Sequence, residues 1–365
     1  MRSAGGIGTA LVLVGAFIAA TLTSCSPGYV MRGAYEQSKI LLSRRDITDV
    51  VADPDTSSED RDKLRLVVEA RRYSASIGLK TGNSFTTYSD IGKDTLSWVV
   101  VGARKDSFSL YTWWFPVVGS VPYKGFFDKS DAEEQATALQ QEGYETWVRG
   151  TDAFSTLGWF NDPVLSTTLK NSPMRIANTV IHESVHPTVW IKGNVPFNES
   201  LANFVAAVGT EQFFEQHLQE CRAEPTRDCT DSETLLTSAR RDAAVQYDLS
   251  TSVGQLYDAL DTLYRDPAIS SEQKIERRGV VFNQHVVPLR SKYPQLKALQ
   301  EVNNAEIMQL KIYLTGLELF RALYDQEGRD WKRFFAAIED IQAQRDSDEK
   351  LDPYVLLRNK VERNT

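Results

Sequence analysis

Histidine is scarce in this chain, with 4 residues in 365, and cysteine scarcer still, with 3. One of those cysteines, Cys25, sits at the end of an N-terminal apolar segment. Only Cys221 and Cys229 remain, and no second pair exists to build a cysteine-rich structural zinc site. An excess of positive charge is also missing: 41 Lys and Arg face 49 Asp and Glu, for a formal net charge of -8 and a pI near 5.3. That balance argues against nucleic acid or an anionic membrane surface as the main partner. There is no internal repeat, low-complexity segment or extended linker.

What is present begins with a targeting segment. Arg2 supplies a basic start, residues 7–22 are apolar or small, and Leu22-Thr23-Ser24-Cys25 has the form of a lipobox. The apolar run is short for a membrane span. The expectation is a lipoprotein signal peptide over residues 1–24 and a lipidated Cys25, with an ordinary signal peptide or an uncleaved anchor as alternatives. Ser26 after the cysteine resembles lipoproteins sent on to an outer membrane, so the expected location is the cell envelope, at the outer membrane facing the periplasm if the source is a diderm bacterium. An oxidising envelope also suits Cys221 and Cys229, which flank a short polar loop, and a disulfide across it is expected. Two free thiols or soft metal ligands are the alternative.

The whole sequence is 42% hydrophobic and 25% charged, and the remaining 25–365 segment is long enough for one large or two closely packed domains with a real core, read here as a single unit. It reads as a mixed helix and strand part over about 25–170 and a helical part over about 171–365, together a predominantly helical α+β fold.

Two of the four histidines fall in Thr179-Val180-Ile181-His182-Glu183-Ser184-Val185-His186. On a helix, His182 and His186 lie one turn apart on one face, the spacing of a shared tetrahedral Zn2+. Glu183 between them reaches the open side of such a metal. Behind a short loop, Phe197-Asn198-Glu199-Ser200-Leu201-Ala202-Asn203 opens a second helix that can bring Glu199 back as a third ligand. Asn198 is the expected N-cap, Ala202 permits close helix approach, and Asn203 is the expected partner of a ligating histidine. Two His and one carboxylate leave a position for water, and a neighbouring Glu can take its proton: this is amide hydrolysis chemistry. Pro187 should end or bend the first helix just after His186.

The pairing of His182-Glu183-Ser184-Val185-His186 with Asn198-Glu199-Ser200-Leu201-Ala202 resembles the gluzincin arrangement. More closely, the chain resembles the bacterial putative aminopeptidase family of predicted secreted or lipoprotein zinc hydrolases. The resemblance also runs through Trp114-Phe115-Pro116-Val117-Val118-Gly119, Val121-Pro122-Tyr123-Lys124-Gly125-Phe126-Phe127, Ser155-Thr156-Leu157-Gly158-Trp159-Phe160-Asn161-Asp162-Pro163 and Asn303-Asn304-Ala305. It implies a zincin-like fold, a Zn2+ cofactor and a peptide substrate. It further implies that a strand near Ser155, Thr156, Leu157 and Gly158 pairs with the substrate backbone, and that a Tyr or His in the helical half binds the oxyanion. Tyr313 is the candidate for that donor, with Tyr264 and His285 as competitors; His217 reads as a helix-surface residue near the disulfide loop. The functional expectation is a zinc-dependent peptidase, an aminopeptidase by the resemblance. The alternatives are a zinc hydrolase of another envelope amide or ester, or a binding lipoprotein that keeps the fold without turnover.

Helices are expected at 29–42, 57–71, 131–141 (capped by Ser130), 232–247, 253–264, 271–287, 293–314 and 331–343, and strands at 85–88, 97–101, 107–111 and 144–149. The aromatic stretch 113–127 reads either as sheet-to-helix packing or as a cleft wall.

Overall fold

The computed structural model describes residues 27–115, 119–151, 161–296 and 301–363. The leader, Cys25 and the Ser155–Gly158 stretch lie outside the described residues. In chain order the elements are α1 (Pro27–Leu42), β1 (Arg45–Asp46), α2 (Ile47–Ala52), α3 (Ser58–Ser76), β2 (Thr87–Ser89), β3 (Ser97–Arg104), β4 (Trp113–Phe115), β5 (Gly119–Val121), β6 (Lys124–Phe126), α4 (Lys129–Gln141), β7 (Tyr144–Thr151), β8 (Val164–Leu165), α5 (Ser166–Leu169), α6 (Pro173–Val185), α7 (Val195–Arg222), α8 (Thr230–Arg265), α9 (Ser271–Lys292), α10 (Asn304–Leu314), α11 (Leu317–Gln326), α12 (Trp331–Ser347) and α13 (Pro353–Glu362). The fold is α+β and predominantly helical, with small sheets.

The sheet that matters for the cleft is antiparallel, in the order β6-β3-β7. Val99 faces Arg149 and Ser97 faces Thr151 across β3 and β7. Ala132, Ala136 and Leu139 of α4 cover one side, burying Val100 and Trp113. The main core is helical: Leu64 and Val67 of α3, Ile176, Val180 and Ile181 of α6, and Leu201, Phe204 and Val205 of α7 are fully buried together. Burial of such side chains contributes roughly 1.5–3 kcal/mol each before chain entropy is charged against it. Gly209 makes the α6–α7 approach possible, because a Cβ there would lie 3.2 Å from the Cγ2 of Ile181.

Several expected boundaries differ. Ser130 does not cap α4: the helix starts at Lys129, which leaves Ser130 already helical and puts an extended Asp128 in the N-cap position. Residues 107–111 form one isolated bridge, Ala103 to Leu110, rather than a strand. The two helices expected over 232–264 are one continuous helix, since no proline interrupts it and Gly254 meets no neighbour that would force a break. Conversely, of the helix expected over 293–314 only the later part forms: α9 stops at Lys292, the described residues between are not helical, and Asn303 caps a fresh start by accepting from the Glu306 amide. Proline does not always stop a helix here, as Pro288 lies inside α9 near its end.

Candidate active site

Ser172 caps α6 by accepting from the Arg175 amide, and Pro173 occupies the first turn, where its missing N–H costs nothing. The helix ends at Val185, and the chain turns through Pro187 with His186 still in helical conformation. The buried face carries Ile176, Ala177, Val180 and Ile181, which leaves His182 and Glu183 facing a cleft of about 530 Å³.

The following helix does not begin where expected. Asn194 is its N-cap, accepting from the Phe197 amide, and Pro196 fits in the first turn. Asn198 is therefore already helical, and its carboxamide grips the loop: the Ile191 amide donates to its Oδ1 and its Nδ2 donates to the Ile191 carbonyl, each at 2.9 Å. This two-point clamp fixes the connection between the helices one residue before Glu199.

Glu199 meets both imidazoles. Its Oε2 lies 3.2 Å from His182 Nε2 and its Oε1 lies 3.7 Å from His186 Nε2. The two rings are 5.0 Å apart, nearly perpendicular. Ligand atoms of His182, Glu183 and His186 also lie within 4.8 Å of one another, so both carboxylates border the same point. Glu183 shares a helix with the histidines, whereas Glu199 comes from the second helix and touches both Nε2 atoms. The donor set of two imidazole nitrogens and carboxylate oxygen fits a borderline divalent ion such as Zn2+.

Electrostatics treat the two imidazoles differently. Burial holds the His186 imidazole down to about 4, keeping it neutral as a ligand must be. Burial also works against charge on His182, but the hydrogen bond to Glu199, the charges of Glu183 and Glu199 and a hydrogen bond with Asn203 together raise it. Glu199 is buried, which favours its neutral form; the His182 hydrogen bond, both imidazoles and Arg149 outweigh this and keep it ionised.

Tyr313 enters the cleft from the last turn of α10. Ser200 and Asn203 of α7 hold it there: Ser200 Oγ donates to the Ile312 carbonyl and accepts from the Thr315 amide, and Asn203 Nδ2 donates to the Tyr313 carbonyl. Burial first, then the Glu199 charge, raises the phenol, so it keeps its proton for donation. Arg149 Nη2 donates to the Tyr313 hydroxyl at 3.3 Å, and its guanidinium stands 5.6 Å from that ring.

Tyr264 and His285 do not join the site. The Tyr264 hydroxyl is buried against Asn304 Oδ1 at 2.9 Å, and His285 lies in a separate depression beside Asp248 and Lys292. His217 stands 3.8 Å from Glu69 in a hollow next to Cys221. Cys221 and Cys229 are disulfide-bonded, with Cα atoms 5.9 Å apart. Asn303 and Asn304 prove to be anchors rather than cleft residues: Asn303 Nδ2 donates to Thr146 O, and Asn304 Nδ2 to Arg104 O. The aromatic stretch divides its roles, Trp113 packing under α4 and Tyr123 lining the cleft. Tyr123 answers the cleft-wall reading of that stretch, whereas sequence reasoning missed Arg149, Arg175 and Trp190 as cleft residues. Nothing local in a strand marks an arginine as facing a site built by other elements.

Fold and site together define a predominantly helical α+β protein whose cleft presents a His-Glu-x-x-His helix able to hold a metal ion. The family model described as "Putative aminopeptidase" matches residues 28–351, and the chain belongs to that family. Membership places it, at this coarse level, among the peptidases. No curated protein and no solved structure matches it.

Proposed function

We propose that this protein is a zinc-dependent peptidase in which His182, His186 and Glu199 hold Zn2+ and Glu183 is the general base. The observation that carries this reading is the approach of the Glu199 carboxylate to both Nε2 atoms, at 3.2 and 3.7 Å, from a second helix. Bound there, Zn2+ would polarise the scissile carbonyl and acidify a water. Glu183 then accepts the proton of the attacking water on its carboxylate and delivers it to the departing amine nitrogen. Tyr313 donates its phenolic proton in a hydrogen bond to the carbonyl oxygen as negative charge gathers on it. Asn203 holds the His182 ring and the Tyr313 main chain in register. The gluzincin resemblance, an envelope location through a lipidated Cys25, and strand pairing of substrate with Ser155–Gly158 belong to the same proposal.

The test is metal content and peptide turnover of the purified chain, comparing wild type with Glu183→Gln and His186→Ala. One zinc per chain, lost in His186→Ala and kept in an inactive Glu183→Gln, is the expected result. A folded wild-type protein that takes up no zinc overturns the proposal.

A further inference from the structure

The described cleft residues carry four formal charges besides the imidazoles: Glu183, Glu199, Arg149 and Arg175. Under the proposed function both carboxylates are committed, one to the metal and one to the proton. Among the described residues, no other acid lines the cleft to receive a substrate ammonium, and a divalent ion makes the loaded cleft net positive. Both arginines lack an ion pair within 4.0 Å among the described residues.

Arg149 is the better placed of the two. It projects from β7, held in register by its pairing with Val99, whereas Arg175 is exposed on the first turn of α6. One of its nitrogens donates to the Tyr313 hydroxyl, and its Nε is buried with no hydrogen-bond partner. Tyr123 stands in the same corner, its phenol under the influence of both Glu199 and Arg149. A buried guanidinium donor without an acceptor is costly unless a ligand supplies one. The acceptor that matches a guanidinium fork is a carboxylate, bound through two parallel hydrogen bonds.

We propose that Arg149 is the substrate-binding residue for a carboxylate next to the scissile bond, with the Tyr123 side of the cleft as its wall. The inference rests on the peptidase reading of the zinc site and adds the substrate class. Two sources present this chemistry: the free C-terminus of a peptide, or an Asp or Glu side chain. In either case recognition runs through an anion rather than through the ammonium of an uncharged N-terminal residue.

The experiment uses the zinc-loaded full chain and three N-acetylated peptides of one neutral sequence. The first has a free C-terminal acid, the second is the C-terminal amide, and the third is the amide with one glutamate beside the cleavage position. Binding is measured by calorimetry, and kcat/KM is measured separately. A preference of roughly tenfold to hundredfold for the free acid over the neutral amide assigns the C-terminal source, and the same preference for the glutamate peptide assigns the side-chain source. In Arg149→Gln that preference collapses to within about twofold, while zinc content and melting temperature stay at wild-type values. Equal binding of all three peptides by wild type overturns the proposal. So does a loss in Arg149→Gln that is the same for acid and amide, which would show Arg149 acting only through Tyr313. Calorimetric discrimination without turnover would leave the carboxylate site standing and bring down the peptidase reading alone.

Discussion

The Asn203 side chain donates to the main-chain oxygen of Tyr313 at 2.8 Å while also hydrogen-bonding His182. One carboxamide thus ties a proposed zinc ligand to the proposed oxyanion donor, which lies 110 residues beyond Asn203 in sequence. Replacing Asn203 by Ala should lower zinc affinity by roughly 10- to 100-fold, the usual cost of removing the hydrogen-bond partner of a ligating histidine. It should also cost about 1–3 kcal/mol of stability through the unsatisfied Tyr313 carbonyl. Competition with a chromophoric chelator, alongside a thermal melt, reads both; unchanged zinc affinity would remove Asn203 from the site.

Tyr313→Phe keeps the ring and removes the hydroxyl. If the hydroxyl serves the oxyanion, kcat falls by about 10²–10³ with KM and zinc content little changed. A drop confined to KM would point instead to a role in binding the resting substrate.

Zinc uptake should release a proton near neutral pH. The raised His182 imidazole carries its proton to higher pH than an ordinary histidine, near 6.5, and a ligand must give that proton up. The apparent affinity therefore falls as pH drops through the neutral range, whereas His186, held down to about 4, adds nothing there. Calorimetry in buffers of different ionisation enthalpy counts the protons. No release at about pH 7 would mean that His182 is already neutral before the metal arrives.

How much of this was visible beforehand depends on distance along the chain. His182, Glu183, His186 and Glu199 lie within two consecutive helices, and periodicity alone brings them together. Tyr313 was reachable because it follows Asn303-Asn304-Ala305 on one helix, although the asparagines serve to anchor that helix on β3 and β7. Asn198 was misread as a cap because an Asn before an apolar periodic run looks like one. Asn194 and Pro196 had already started the helix, and the true task of Asn198 is a clamp on Ile191 that only the folded loop reveals. Tyr123 lies in the aromatic stretch whose sequence left packing and cleft wall both open, and Arg149 left no mark, since strand sequence says which residues alternate and not what a distant helix will place in front of them.

The Arg278–Glu145 pair gives a test of that anchoring. Arg278 Nη1 donates to Glu145 Oε2 at 2.9 Å, and the Asn304 amide donates to the same carboxylate, which is 10% exposed. Glu145→Ala leaves Arg278 without its partner and frees the start of α10. Destabilisation of about 3–5 kcal/mol is expected in urea or thermal unfolding. A variant as stable as wild type would show that the helix is held by its apolar face alone.

Replacing both Cys221 and Cys229 by Ser should cost roughly 2–3 kcal/mol, because the bridge closes a loop of only 8 residues in sequence separation. Zinc stoichiometry should not change, as the bridge sits at the far end of α7 from Glu199. Loss of zinc on reduction would reveal a coupling along the helix.

The spacing of the site residues also orders events in time. All three proposed ligands fall between positions 182 and 199, on a helix–loop–helix segment whose ends meet at little loop-closure cost. Arg149 must arrive from a sheet, and Tyr313 from a helix 110 residues beyond its Asn203 anchor. The sheet that carries Arg149 precedes the proposed ligands in the chain, so during synthesis it is the Tyr313 helix alone that follows the segment able to capture a metal. Under the proposed function, a chain still short of Tyr313 would hold its metal ligands and its general base without the donor that meets the oxyanion.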